Sequence, residues 1–208
     1  MNKALVERRR LEELRSHERL LEQVGIRPAA GVDEVGMGPL AGPVVAAAVI
    51  LPPEPLIEDL DDSKALTRAV RERVETEIRR VAVAVSIGVV SVAEIDALNI
   101  YRAGLEAMRR AVLLLPVVAR HVLVDSRTIP GLDLPQTSFV RGDARVYSIA
   151  AASVIAKVHR DRIMAGLEQE HPGYGFAAHA GYATAEHREA LRRLGPCPAH
   201  RRSFTLGV

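Results

Sequence analysis

The chain has 208 residues, of which 48% are hydrophobic, so it can bury one substantial core. Its formal charge of +2 is close to neutral, so no whole-molecule field marks it as a strongly basic nucleic-acid binder, and its single cysteine, Cys197, excludes an internal disulfide and a cysteine-based zinc site. Because residues 1–24 are charged throughout and no apolar run approaches ~20 residues, we expect a soluble, cytoplasmic protein without a signal peptide or membrane span.

The first half of the chain predicts a helix followed by a β-rich segment. Residues 2–24 place apolar side chains at helical spacing among Arg and Glu, which predicts an amphipathic helix that ends near Gly25 and braces the domain. Strands are predicted at 29–33, 43–51 and 81–90, and helices at 67–80 and 101–115. Ser91 and Glu94 have the spacing of a capping box, which predicts a short helix there.

The second half predicts two short strands followed by helices. The strands are at 121–125 and 136–140, and a long helix at 148–170 begins with small residues that favour close packing on a sheet. A glycine-rich loop at 171–181, a last helix at 184–194 and an irregular basic tail complete the chain. Without repeats or long linkers, we expect an N-terminal helix (1–25) and one folded domain (26–208).

The stretch at residues 31–50 carries an acidic pair, Asp33 and Glu34, followed by glycines at 36, 38 and 42. It predicts a strand, a tight turn and a second strand. Because neighbouring side chains on a regular strand point to opposite faces, we expect a bend at Val35-Gly36 to bring the two acids together. The alternative is a hairpin whose acidic pair is solvated, but the apolar neighbours of the pair make an unpaired charge costly there.

Four acids share one placement, at or just past the end of an apolar strand: Asp33, Glu34, Asp125 and Asp143. In an open α/β sheet the strand ends meet in one crevice. Carboxylates crowded together raise each other's pKa unless cations are present, and oxygen ligands select Mg²⁺ or Mn²⁺. The pattern therefore predicts a divalent-metal site suited to phosphodiester hydrolysis. We interpret Asp161, between two arginines, as part of a surface charge cluster instead.

With these residues in view, the sequence resembles the ribonuclease HII family, the type 2 ribonucleases H. The resemblance covers residues 29–205. It rests on Gly-Val-Asp-Glu-Val-Gly-Met-Gly-Pro-Leu-Ala-Gly-Pro-Val-Val-Ala-Ala-Ala-Val at 31–49, Asp62-Ser63-Lys64, Val124-Asp125, Arg141-Gly142-Asp143, residues 149–161, Gly181-Tyr182-Ala183-Thr184 and His200-Arg201-Arg202-Ser203-Phe204.

The resemblance implies an α/β protein with a ribonuclease H-like fold: a mixed five-stranded sheet flanked by helices, with a small helical C-terminal part. It also implies an endonuclease that cuts the RNA strand of RNA–DNA hybrids, and cuts 5′ of a lone ribonucleotide in duplex DNA, using Mn²⁺ or Mg²⁺. The family's metal-binding acids fall on Asp33, Glu34, Asp125 and Asp143.

Substrate-binding roles follow from the same resemblance. The turn Gly36-Met37-Gly38 is expected to read the 2′-hydroxyl through its backbone, and Tyr182 to stack on the next deoxyribose. Lys64, Arg141 and the tail arginines are candidates for phosphate contacts.

Two positions depart from the family pattern. The turn is usually Gly-Arg-Gly, but residue 37 is Met, so a guanidinium contact is missing there. Ser126 stands where the family often has glycine, a change that we expect the site to tolerate.

Two alternatives stay open at this point. One is a type 3-like nuclease that cuts hybrids but handles a lone ribonucleotide poorly, although the short N-terminal helix does not fit the added domain of that type. The other is a hybrid-binding protein without catalysis, which the presence of all four acids argues against. We expect a monomer that acts on nucleic acid, and the sequence indicates no protein partner.

Overall fold

Five strands form one mixed sheet in the order β3-β2-β1-β4-β5 in the computed structural model, which describes residues 3–206. Strands β1, β2 and β3 pair antiparallel, whereas β1, β4 and β5 run parallel. The expected mixed five-stranded sheet is confirmed. The strand bounds are β1 Ala29–Val35, β2 Val44–Ile50, β3 Ala84–Val90, β4 His121–Asp125 and β5 Gln136–Phe139.

Eight α-helices lie within the described residues, and side chains cap several of them as the sequence predicts. Thr67 and Thr184 accept backbone N–H groups at the starts of α3 and α8, and Ser91 and Glu94 form a complete capping box on α4. The bounds are α1 Lys3–Leu14, α2 Ser16–Gln23, α3 Arg68–Val81, α4 Val92–Leu98, α5 Ile100–Leu113, α6 Tyr147–Glu170, α7 Phe176–His179 and α8 Ala185–Leu194. None of them is long and apolar enough to cross a membrane.

Three local predictions need correction. The N-terminal segment forms two helices that meet at Arg15, not one helix. Strand β3 begins at Ala84 because α3 continues through Val81, and the glycine-rich loop contains the one-turn helix α7. Residues 1–2 and 207–208, which the predicted helix and tail included, lie outside the described residues.

Helices cover both faces of the sheet, and two strand glycines let them lie close to it. A Cβ on Gly31 of β1 would stand 2.1 Å from the Ser148 carbonyl carbon of α6. A Cβ on Gly88 of β3 would stand 2.1 Å from the Ala107 carbonyl oxygen of α5. Strand β2 lies between these layers and is buried along its whole length, which explains its unbroken Val, Ala and Ile sequence.

The N-terminal helices pack on the domain through α6. Leu11 and Leu14 join the apolar cluster between α6 and the sheet. Glu18 of α2 is buried, and its Oε1 accepts hydrogen bonds from the Ser148 backbone N–H at 2.8 Å and from the Ser148 Oγ at 2.6 Å. Since Val146 provides no side-chain cap, Glu18 serves as the carboxylate cap of α6.

The C-terminal segment packs against the glycine-rich turn between β1 and β2. Tyr174, Phe176 and Leu191 form a small apolar cluster with Leu40 and Ala41 of the turn. Backbone hydrogen bonds add to this contact, from Leu40 N–H to the Gly181 oxygen and from Gly42 N–H to the Ala199 oxygen, each at 2.8 Å. The small helical C-terminal part therefore supports the loop that follows the first two acids.

Candidate active site

The acids lie where the central parallel strands separate. Strands β1 and β4 pair from Ala29 with His121 up to Val32 with Val124. Asp33 and Asp125 are the next residue of each strand, and Glu34 follows Asp33. Strand β1 stays paired with β2 through Val35, so a crevice opens on the β4 side only. This is the position at which parallel sheets place ligands.

Asp33, Glu34 and Asp125 form what we call the acid cluster. Each offers a carboxylate oxygen, and these three oxygens lie within 4.8 Å of one another. Both Asp33 and Glu34 belong to the regular part of β1, so the expected need for a bend at Val35-Gly36 is wrong. Because β4 stops pairing with β1 at Val32, side chains from both faces of β1 can reach the same gap.

Asp125 is joined to the turn that carries Asp143. Its Oδ1 accepts a hydrogen bond from Gly142 N–H at 2.6 Å, and its Oδ2 accepts one from Ser126 Oγ at 3.0 Å. Ser126 has φ of 61°, a left-handed conformation that glycine adopts more easily. The backbone geometry therefore explains why a glycine suits this position, while the serine hydroxyl adds a bond to Asp125.

Asp143 lies in the 3₁₀ turn Gly142–Ala144, immediately before α6. Its Oδ2 accepts a hydrogen bond from Lys64 Nζ at 2.7 Å, and its Oδ1 accepts one from Ala144 N–H at 3.0 Å. Burial opposes the charge on Lys64, but the bond to Asp143 and the nearby carboxylates raise the pKa of the ammonium overall. Lys64 thus contacts a predicted metal ligand directly and remains largely exposed to solvent.

Burial and mutual repulsion disfavour the ionised forms of Asp33 and Glu34. Desolvation, followed by the charges of Glu34, Asp125 and Asp143, raises the pKa of Asp33 well above its usual range. Desolvation and the charge of Asp125 raise the pKa of Glu34 to about 7. The Glu34 Oε2 is buried and has no hydrogen-bond partner among the described residues. An acid cluster of this kind needs positive charge.

A hard divalent cation fits these residues. The donors are all carboxylate oxygens, their spacing allows one ion to contact several of them, and the Glu34 Oε2 lacks any other partner among residues 3–206. Asp33, Glu34 and Asp125 would hold such an ion, with Asp143 close enough to raise the pKa of Asp33. Bound metal would supply Lewis acidity and a nucleophilic water at neutral pH.

Two buried arginines hold the glycine-rich turn beside the acid cluster. Arg201 donates to the carbonyl oxygens of Gly36 at 2.6 Å and Gly42 at 2.8 Å, and Arg160 donates to those of Pro43 at 3.0 Å and Ala41 at 3.1 Å. Both side chains are fully buried. Burial, together with the charge of the other arginine, lowers the pKa of Arg201 to about 9.

The sequence did not predict these roles. Arg201 was a candidate for a phosphate contact, but its guanidinium is used inside the protein. Arg160 does not belong to a surface charge cluster, although its neighbour Asp161 does pair with Lys157 at 2.6 Å. From sequence alone, an arginine is expected to be an exposed charge. The His-Arg-Arg-Ser-Phe motif is the one sequence signal that distinguishes Arg201.

Of the remaining predicted substrate contacts, Gly38, Tyr182 and Arg141 are exposed, whereas Gly36 is buried inside the turn. Gly38 and Tyr182 are exposed and adjacent, since a Cβ on Gly38 would stand 3.7 Å from the Tyr182 ring. Arg141 is exposed, with φ of 56°, two residues before Asp143. Met37 instead points to helix α5, where its Sδ would stand 2.8 Å from a Cβ on Gly104. The missing arginine is thus replaced by a packed thioether.

Comparison with known proteins gives one consistent family. Residues 30–206 match the family described as Ribonuclease HII. A Ribonuclease HII from Geobacillus kaustophilus is 55% identical over 195 residues, which is 94% of this chain and 75% of that protein. One from Moorella thermoacetica is 54% identical over 198 residues, which is 95% of this chain and 96% of that protein.

Solved structures agree on the fold. The PCNA:RNase HII complex from Archaeoglobus fulgidus aligns with a TM-score of 0.74 and 27% identity, over 86% of this chain and 96% of that one. Bst-RNase HIII in complex with Mn²⁺ aligns with a TM-score of 0.64 and 19% identity, over 89% of this chain and 69% of that one. The second likeness concerns the fold alone.

Proposed function

The chain belongs to the ribonuclease HII family, endonucleases that act on RNA–DNA hybrids, and we propose that it also incises duplex DNA 5′ of a single embedded ribonucleotide. We further propose that it does so with divalent ions held by Asp33, Glu34, Asp125 and Asp143. The type 3 alternative is not supported, because the matching family model and the Geobacillus and Moorella relatives, both above 50% identity, are of ribonuclease HII.

One observation supports the metal site above all others. Three carboxylates from two parallel strands bring their oxygens within 4.8 Å in a crevice, and one buried oxygen of Glu34 lacks a partner among the described residues. A merely structural acid cluster would be paired with arginine or lysine. Lys64 reaches Asp143, but the acid cluster itself has no such partner at ion-pair distance within residues 3–206. The same observation argues against a non-catalytic binding protein.

The roles of the chain's own residues follow from their positions. Asp33 and Asp125 would form the two sides of the metal site, and Glu34 would complete it from the opposite face of β1. Asp143 forms an ion pair with Lys64, so this lysine can hold Asp143 in place and can attract a backbone phosphate. Arg141, which is exposed two residues before Asp143, is a second candidate phosphate contact.

Ribonucleotide recognition is proposed for the turn Gly36-Met37-Gly38 together with Tyr182. The 2′-hydroxyl is the local difference between RNA and DNA, and it can both donate and accept a hydrogen bond. Gly38 has an exposed backbone beside the exposed Tyr182 ring, so sugar contact and ring stacking can occur together. Since the Met37 side chain packs on α5, the proposed readout uses the backbone of the turn.

The biological setting stays a proposal as well. Incision at ribonucleotides serves their removal from DNA and the removal of RNA primers, and it fits a cytoplasmic protein. We propose a monomer with Mg²⁺ or Mn²⁺ as its metal. The Archaeoglobus enzyme was solved with PCNA, but we propose no protein partner for this chain.

The test uses three end-labelled duplexes of one sequence: an RNA–DNA hybrid, a DNA duplex with one ribonucleotide, and an all-DNA duplex. With Mn²⁺ or Mg²⁺ we expect cleavage of the first two, and a 3′-hydroxyl fragment that ends one nucleotide before the ribonucleotide. The all-DNA duplex and samples with EDTA are the controls. Cleavage of the hybrid without incision at the lone ribonucleotide would contradict the proposal, as would full activity in EDTA.

A further inference from the structure

A cavity of about 240 Å³ adjoins the acid cluster on the α5 side of the sheet. Glu34 and Asp125 line it together with Met37 of the turn, Tyr101 and Gly104 of α5, and Arg127. Its volume is several times the roughly 30 Å³ that one water molecule occupies in the liquid. The cavity can therefore accept a charged group of the substrate next to the reacting phosphate.

Arg127 provides the positive charge of this cavity. Its guanidinium lies 4.6 Å from the centre of the Tyr101 ring, a distance typical of a cation–π contact. The residue is exposed, and among residues 3–206 no carboxylate lies at ion-pair distance from it. By contrast, Arg110 of α5 is paired with Glu94 and Glu106. Arg127 is oriented by an aromatic ring, and no acceptor within residues 3–206 takes a hydrogen bond from its guanidinium.

We propose that Arg127, held by Tyr101, binds a backbone phosphate of the cleaved strand next to the acid cluster. A guanidinium presents two parallel N–H donors that match the oxygens of a phosphate. Carboxylates alone would repel the phosphodiester, and Arg127 supplies a fixed cation in the same cavity. Met37 lines the same cavity, so Arg127 and the glycine-rich turn border one space beside the acid cluster.

The proposal rests on hybrid cleavage by this family and not on incision at a lone ribonucleotide. We would therefore measure the RNA–DNA hybrid first, for Arg127→Gln and Tyr101→Leu, with Tyr101→Phe as the variant that keeps the ring. Arg80→Gln is the matched surface control. Arg80 is exposed at the end of α3, near Ala84, which pairs with Ile50 at the end of the sheet opposite the acids.

We expect Arg127→Gln to raise KM about tenfold or more, because one charge-assisted contact is lost, and to change kcat less. Hybrid binding in Ca²⁺ should weaken equally, and the slope of log K against log salt should fall by ~1. Tyr101→Leu should show part of this defect, Tyr101→Phe should retain most of the binding because it keeps the ring, and Arg80→Gln should match the wild type. Unfolding temperatures of all variants should agree closely, because both side chains are exposed.

Two results would overturn the proposal. An unchanged KM and salt slope in Arg127→Gln would show that no phosphate contact exists. A defect that disappears at high Mn²⁺ would assign Arg127 to balancing the charge of Glu34 instead. A protein that cuts the hybrid but not the lone ribonucleotide would leave each of these tests valid.

Discussion

The buried guanidinium of Arg201 donates a hydrogen bond to the carbonyl oxygen of Gly36 at 2.6 Å and so ties the C-terminal segment to the turn beside Glu34. The same group donates to Gly42 and has no carboxylate partner at ion-pair distance among the described residues. Backbone carbonyls thus take the place of a counterion. The turn that we propose to read the sugar is held from inside the protein.

Replacing Arg201 should therefore damage the fold more than an ordinary surface change. Arg201→Met leaves several buried carbonyls without donors, and we expect a loss of roughly 3 kcal/mol or more in the free energy of unfolding. Urea unfolding measures this. The matched control is Arg202→Gln, because Arg202 is the adjacent arginine and is exposed. Equal stability of the two variants would show that Arg201 does not support the turn.

A second prediction concerns Glu18 and the start of α6. Burial raises the pKa of Glu18, and its bonds to Ser148 offset this only in part. The pKa of Glu18 is higher in the folded protein than in the unfolded chain, so the protonated form of Glu18 stabilises the fold. This contribution is complete below the unfolded pKa and is lost as pH rises through the folded pKa. Wild type should therefore lose stability relative to Glu18→Gln as the pH rises above the unfolded pKa of about 4.

Melting curves of both proteins across that range measure the difference. Glu18→Ala, which removes the cap as well as the charge, should be less stable than both at every pH, by about 1 kcal/mol. A constant difference between wild type and Glu18→Gln would contradict the raised pKa.

Metal-free stability gives a third prediction. Asp33 is buried among other acids, so its charge destabilises the folded protein at neutral pH when cations are absent. Asp33→Asn should raise Tm by about 2–4 °C in EDTA. Adding Mn²⁺ should raise the Tm of the wild type and should have a much smaller effect on the variant. If the variant melts below the wild type in EDTA, the acid cluster is not a site of repulsion.

Tyr182 should matter more for a lone ribonucleotide than for folding. The ring is 45% exposed, so Tyr182→Ala should hardly change Tm. Loss of a stacking contact worth ~1–3 kcal/mol should lower kcat/KM at a single ribonucleotide by about 10- to 100-fold. Tyr182→Phe keeps the ring and should retain most activity. An equal loss on a long hybrid would mean that Tyr182 does not act at the DNA–RNA junction.

Much of the fold, and the gathering of Asp33, Glu34 and Asp125, could be predicted because their signals are local. Strand β4 has the predicted bounds, since a short apolar run ending in Asp125 is self-contained, and the capping box at Ser91 and Glu94 depends on adjacent residues alone. The acids stood out because each carboxyl group follows an apolar run. The predicted way in which Asp33 and Glu34 converge is wrong, because it depends on where β4 stops pairing with β1.

The interactions that the sequence could not predict join distant segments. Glu18 bonds Ser148, which lies 130 residues further along the chain, and Arg201 bonds a turn more than 150 residues earlier. Neither residue has a type or spacing that distinguishes it from an exposed charge. Arg127 and Tyr101 come together only through the packing of α5 on the sheet. These contacts require the tertiary fold.

The most direct test of the metal site is a calorimetric titration with Mn²⁺, together with hybrid cleavage by the same samples. The proteins are wild type, Asp33→Asn, Asp125→Asn and, as the control acid outside the cluster, Asp161→Asn. We predict that wild type and Asp161→Asn bind Mn²⁺ and cut the hybrid. The two cluster variants should remain folded, bind Mn²⁺ at least tenfold more weakly and lose cleavage by orders of magnitude. Unchanged Mn²⁺ binding and cleavage in either cluster variant would contradict the assignment of that acid to the metal site.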